Sequence, residues 1–130
     1  MVATVTEIAA TGAIEAAHAT GAALRTGIDD LVRQAGLAEQ IRLVGYDCFL
    51  GIETRDTTAV SAAELKTLLL QELIAAGALV RGIFYPTAAH GQEHVEATLT
   101  VAEMAAKVCG RALEAGSGGL LRGPAARRLL

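Results

Sequence analysis

The chain has 130 residues, a formal charge of −3 and 52% hydrophobic residues, with aromatics at only 3% and no tryptophan. That length is one domain's worth and suffices to bury a core without disulfides or metals. The small net charge excludes a polyanion-binding surface built on bulk charge, so nucleic acid is not an expected partner. The core is expected to be aliphatic, made by close helix contacts through many alanines.

Cys48 and Cys109 lie far apart in sequence, which fits buried free thiols in a reducing compartment. The opening residues, MVATVTEIAATG, contain neither a basic region nor an uninterrupted apolar run, so no signal peptide is expected. The longest apolar stretch, Leu68 to Val80, is interrupted by Gln71-Glu72 and Gly77 and is not expected to cross a membrane. The expected location is the cytoplasm.

In chain order, Val2 to Ala9 reads as a short helix ending near Thr11-Gly12. Ile14, Ala17, Gly21, Leu24, Ile28, Leu31 and Ala35 then recur at steps of three and four. They predict one face of a long amphipathic helix, with Gly36 as its C′ residue. Ala17 and Gly21 would let another backbone approach, and Asp29, Asp30 and Arg33 fall on the solvated side. Ile41 to Val44 and Cys48 to Glu53 read as strands in antiparallel pairing or as one bulged strand.

Ser61-Ala62-Ala63-Glu64 is a capping-box pattern. It opens a helix with Leu65, Leu68, Leu69 and Leu73 inward and closes at Gly77. Ala78 to Val80 and Ile83 to Tyr85 read as short strands, the second ended by Pro86. The last helix spans about Gln92 to Leu113, with Val95, Leu99, Ala102, Ala106, Cys109 and Leu113 inward and a Glu103–Lys107 pair outward. Beyond it, Gly116-Ser117-Gly118-Gly119 reads as a flexible joint, and Arg122, Arg127 and Arg128 make a basic tail. The order predicts an α+β fold: a small, mainly antiparallel sheet with helices packed on one face. Its parts are a helical segment over 1–36, an α+β unit over 37–115 and a flexible basic tail over 116–130.

Candidates for chemistry are few. Lys66 and Lys107, the two lysines, both fall inside predicted helices and read as solvated side chains. His90 and His94 are four apart, but Gly91 puts His90 ahead of the helix, and no third ligand follows a metal-site spacing. His18 stands alone on the long helix. No GxSxG, P-loop or GxGxxG pattern occurs.

Two segments carry a family likeness. GYDCFLGIETRD, followed by SAAELKTLLLQELIAAGALVRGIFYPTAAHGQEHVEATLTV, resembles the C-terminal small domain of class III pyridoxal-phosphate-dependent aminotransferases, above all the glutamate-1-semialdehyde aminomutase branch. The likeness covers roughly Val5 to Ala115 and is strongest from Gly45 onward. TVTEIAATGAIEAAHATGAALRTGIDDLVRQAGL resembles the helix pair that links the family's large and small domains. Ala89-His90 resembles the family's entry to its last helix, with Glu93 and Thr98 in register. Gly91 and His94 depart from the usual cap and acidic residue, which weakens the N-terminus of that helix.

The resemblance implies the C-terminal domain of a fold-type I enzyme, packed on a large pyridoxal-phosphate domain and shaping the active-site entrance. The family's cofactor lysine motif has no match here, so no catalytic or cofactor-binding residue carries over. The chain alone is expected to be silent, with no cofactor or metal of its own. Many members place a carboxylate-binding arginine in the strand corresponding to Ile83-Phe84-Tyr85, and none stands there. That departure suits the aminomutase-like branch. Arg81, Phe84 and Tyr85 are the residues expected to face the active site. The expected partners are the large domain and, with that domain away, a second copy through the exposed interdomain face. The alternative is a stand-alone protein-interaction module reusing the fold.

Overall fold

The structure is a computed structural model that describes residues 1–127. Arg128, counted in the basic tail, lies outside the described residues. Two helices come first, α1 over Val2–Thr11 and α2 over Ala13–Gln34. Then follow β1 (Ile41–Tyr46), β2 (Phe49–Thr54), α3 (Ala62–Ala75), β3 (Ile83–Phe84) and α4 (Gln92–Ala115). The strands form one antiparallel sheet in the order β1-β2-β3. The fold is α+β, as its element order predicts.

Tyr46 pairs with Phe49, so β1 and β2 join through a two-residue turn at Asp47-Cys48. Ile41, Leu43, Leu50, Ile52 and Phe84 point inward by strand alternation, toward the leucines of α3 and the alanines of α4. Arg42 and Glu53 sit opposite each other and form a cross-strand ion pair on the outer side. The core is aliphatic apart from Phe84 and Cys109. No helix among the described residues is long and apolar enough to cross a membrane.

Both helix stops follow from glycine. Gly36 and Gly77 have φ of +71° and +99°. In each case the glycine amide and the next amide turn back onto the last helical turn. Gly36 N–H donates to Arg33 C=O and Leu37 N–H to Val32 C=O. Gly77 N–H donates to Ile74 C=O and Ala78 N–H to Leu73 C=O. This is the Schellman closure, which satisfies carbonyls the helix leaves open. It also removes the strand expected over Ala78 to Val80. The Ala78 amide is committed to the helix end, and the chain pairs with β2 only from Gly82 onward, where Gly82 C=O accepts from Ile52 N–H.

Other readings change in detail. On α2 the buried residues are Gly21, Leu24, Ile28 and Val32, whereas Ile14 is exposed and Leu31 and Ala35 are half-buried. α1 buries no residue, and on α2 full burial begins only at Gly21. On α4, Ala105 and Ala112 replace Leu99 and Leu113 as fully buried positions, because α2 and α3 approach closely over alanine. Residue 36 marks no packing boundary, since Leu24, Ile28 and Val32 share one core with Leu43, Leu68 and Ala106.

The segment read as a flexible tail lies along α3 over its described part. Ser117 is buried, and its Oγ donates to Glu64 Oε1 at 2.7 Å. Gln71 Nε2 donates to Leu120 C=O (3.0 Å), and Gln71 Oε1 accepts from Arg122 N–H (2.8 Å). Thr67 Oγ1 accepts from Ala126 N–H at 2.8 Å. Side chains one turn apart on α3 thus hold the main chain of the strap, while Leu120 and Leu121 pack on the core.

Candidate functional site

The sequence holds two tyrosines and two phenylalanines, and the fold brings all of them to one end of the sheet. Tyr46 and Phe49 flank the β1–β2 turn, and Phe84 and Tyr85 lie at the end of β3. Only Phe84 is in the core, at 8% exposure; Tyr46, Phe49 and Tyr85 are 78%, 46% and 57% exposed. Phe49 and Tyr85 meet edge to face with ring centroids 5.2 Å apart. Three of the four large aromatics are thus left on the surface while the core uses leucine and alanine. The low aromatic content concealed this. Only the pairing of β2 with β3 brings Phe49 to Tyr85.

The hairpin that carries Tyr46 and Phe49 is fixed from α2. Arg25 Nε donates to Asp47 Oδ1 (2.8 Å), and its two terminal nitrogens donate to Leu43 C=O (3.2 Å) and Gly45 C=O (2.7 Å). A planar guanidinium makes such a fork and a lysine does not. Gly21, one turn earlier, lets the Asp47 main chain lie against the helix, since any Cβ there would overlap the Asp47 carbonyl. Arg25 stands outside the predicted apolar stripe, and sequence reasoning missed it.

Beside Tyr85 a cleft of about 440 Å³ opens between the start of α4, the middle of α2 and the 76–86 segment. Thr20, Phe84, Tyr85, His90, His94 and Thr98 are among its walls. The structure therefore brings Phe84 and Tyr85 to one site. It leaves Arg81 on the exposed turn before β3, outside the cleft wall.

The His90 and His94 rings stand 5.7 Å apart, edge to face. Each Nδ1 caps local backbone: His90 Nδ1 accepts from Thr87 N–H (3.0 Å), and His94 Nδ1 from Gly91 N–H (3.1 Å). Thr20 Oγ1 donates to His90 C=O and ties the loop to α2. Glycine has no side chain to reciprocate, so α4 starts with half a capping box. His94 fills the role the departure from the family pattern had put in doubt. No three His, Cys, Asp or Glu side chains among the described residues come together as a metal-ligand set.

Neither lysine has the setting of a Schiff-base amine. Lys66 is half-buried rather than solvated: its Nζ donates to Ile52 C=O at 2.9 Å and lies against Gly82. It ties α3 to β2 just where β3 begins. Lys107 pairs with Glu103 at 2.7 Å on the outer side of α4. The chain's own lysines therefore do not fit the covalent role in holding pyridoxal phosphate.

Glu64 anchors two structures at once. Its Oε2 accepts from Ser61 N–H (3.0 Å) and Ser61 Oγ (2.6 Å), closing the capping box, and its Oε1 accepts from Ser117. These bonds, led by the Ser61 hydroxyl, hold its carboxyl at about 2 against the opposing effect of desolvation. Cys109 is sealed in the core; burial, with Glu72 nearby, pushes its thiol up to about 12. Cys48, at the hairpin turn, is half-buried.

Set against family models, curated proteins and solved structures, the chain matches none.

Proposed function

We propose that this chain is the small domain of a pyridoxal-phosphate-dependent aminotransferase or aminomutase, docking on a lysine-bearing cofactor domain and shaping the entrance to its site. The observation that carries the proposal is the exposed aromatic end of the sheet, with Phe49 and Tyr85 in contact beside the cleft. Such a surface gains most by being covered. The likeness of residues 45–101 to the family's small domain supplies the identity of the covering domain.

In this reading pyridoxal phosphate supplies the electron sink and is held by the other domain. This chain's residues act by shape. Arg25 and Gly21 fix the hairpin, Phe49 and Tyr85 cover the entrance and exclude water, and the Tyr85 hydroxyl offers a polar contact at its rim. The setting of Lys66 and Lys107 supports a chain that forms no Schiff base itself.

Sedimentation with a recombinant cofactor domain of the aminomutase branch tests the proposal. The expected result is a one-to-one complex that Phe49→Ser with Tyr85→Ser abolishes while the fold persists. A chain that stays separate at all concentrations contradicts it, and so does a complex indifferent to both substitutions. The stand-alone interaction module is the reading left if the chain captures other proteins through the same rings.

A further inference from the structure

We infer that the free edge of β3 binds an extended, acidic segment of another protein by strand addition. The inference goes beyond the small-domain reading: it concerns the main chain of β3 rather than the aromatic rings, although the edge shares Tyr85 and the cleft with the surface described there.

Phe84 is opposite Leu50, and Ile52 N–H donates to Gly82 C=O. In an antiparallel ladder alternate residues direct their main-chain groups to the same side. Gly82 and Phe84 therefore face β2, and the N–H and C=O of Ile83 and the N–H of Tyr85 face the other way. No strand among the described residues lies on that side. No turn, cap or side-chain hydrogen bond among them reaches those groups. Two donors at a two-residue spacing, with the Ile83 acceptor between them, match the main chain of a strand.

The second observation is the cleft, which runs beside this edge and is walled by Leu79, Val80, Pro86 and Val95 as well as by Phe84. Short edges bounded by charge and proline are a common protection against aggregation, and Arg81 and Pro86 bound this one. A merely protected edge needs no cavity beside it. With the cavity, a residue of the added strand opposite Phe84 has an apolar space to enter. Pro86 limits the paired length to Ile83 through Tyr85, so the occupant is a short segment. Charge selects among such segments. Arg81 is exposed next to the edge, and no carboxylate among the described residues pairs with it. An acidic residue at one end of the segment would supply that partner.

The test is fluorescence anisotropy with a short labelled peptide of alternating valine and threonine that carries an aspartate at one end. Two further versions are N-methylated on alternate amides, one set on each edge of the strand. Strand addition predicts that methylating one set weakens binding by about tenfold, the effect of losing main-chain hydrogen bonds, while the other set is tolerated. Arg81→Gln should weaken binding by about threefold and flatten its salt dependence, as for an exposed ion pair. Failure of the unmodified peptide to bind overturns the proposal. Equal loss from both methylated sets overturns it too, by reducing the edge to a greasy contact. A dimer of the chain that the peptide cannot displace would assign the edge to a second copy and likewise overturn it.

Discussion

Gly21 on α2 and Asp47 at the hairpin turn are in direct main-chain contact, with no room for a side-chain carbon between them. Gly27, six residues on, also faces a close neighbour, but there the obstacle is the half-buried Leu99 side chain rather than main chain. The two glycines sit on one helix and give different expectations for the same substitution.

Gly21→Ala should destabilise the fold by about 2–3 kcal/mol, the upper part of the usual overpacking range, because backbone must move. Gly27→Ala should stay within about 1 kcal/mol of the parent, since better helix propensity offsets the repacking of Leu99. Urea unfolding of both variants checks the contrast.

Arg25→Lys keeps the charge but gives up the fork that holds Leu43, Gly45 and Asp47. A loss of about 1–2 kcal/mol is expected, as for hydrogen bonds to a charged group near the surface. Amide exchange should quicken selectively over residues 44–50. Uniform exchange along the chain would show that Arg25 does not act on the hairpin.

The Glu64 carboxyl sits at about 2 in the folded chain against an ordinary value of 4.5. A depressed carboxyl contributes stability that is full above the unfolded value and is lost as pH falls through the folded one. The affected window is therefore about pH 4.5 down to 2. Glu64→Gln keeps a capping side chain and should flatten the fall of the urea midpoint across that window. An unchanged pH profile would remove Glu64 from the acid response.

The two thiols should separate in a labelling experiment. A disulfide reagent at pH 8 should modify Cys48 in the folded chain and leave Cys109 untouched until denaturant is added, because Cys109 is buried and its thiol is held at about 12. Two equally fast thiols in the native chain would contradict the packing of α4.

What was legible in the sequence is what short-range rules govern. Ser61 and Glu64 announce the start of α3, Gly36 and Gly77 stop two helices, and the spacing of Ile41 to Glu53 gives the hairpin. Long-range partners were not legible. The strap depends on Glu64, Thr67 and Gln71 meeting residues about fifty positions later, and nothing in the Gly-Ser composition of 116–119 signals that. Lys66 looks like any helical lysine until β2 places the Ile52 carbonyl above it. At the site, Phe84 and Tyr85 were singled out by the family resemblance, together with Arg81, which the structure leaves outside the cleft wall. Phe49 and Arg25 were not, because their roles arise from contacts between elements distant in sequence.

The central claim is that this chain works against a cofactor domain and forms no Schiff base of its own. The most direct measurement is titration with pyridoxal phosphate, borohydride reduction and mass spectrometry of the labelled peptides. The account predicts only slow, unsaturable modification, with Lys66 spared because its amine is held by Ile52. Stoichiometric, saturable labelling of Lys66 or Lys107 would contradict it and make the chain a cofactor binder in its own right.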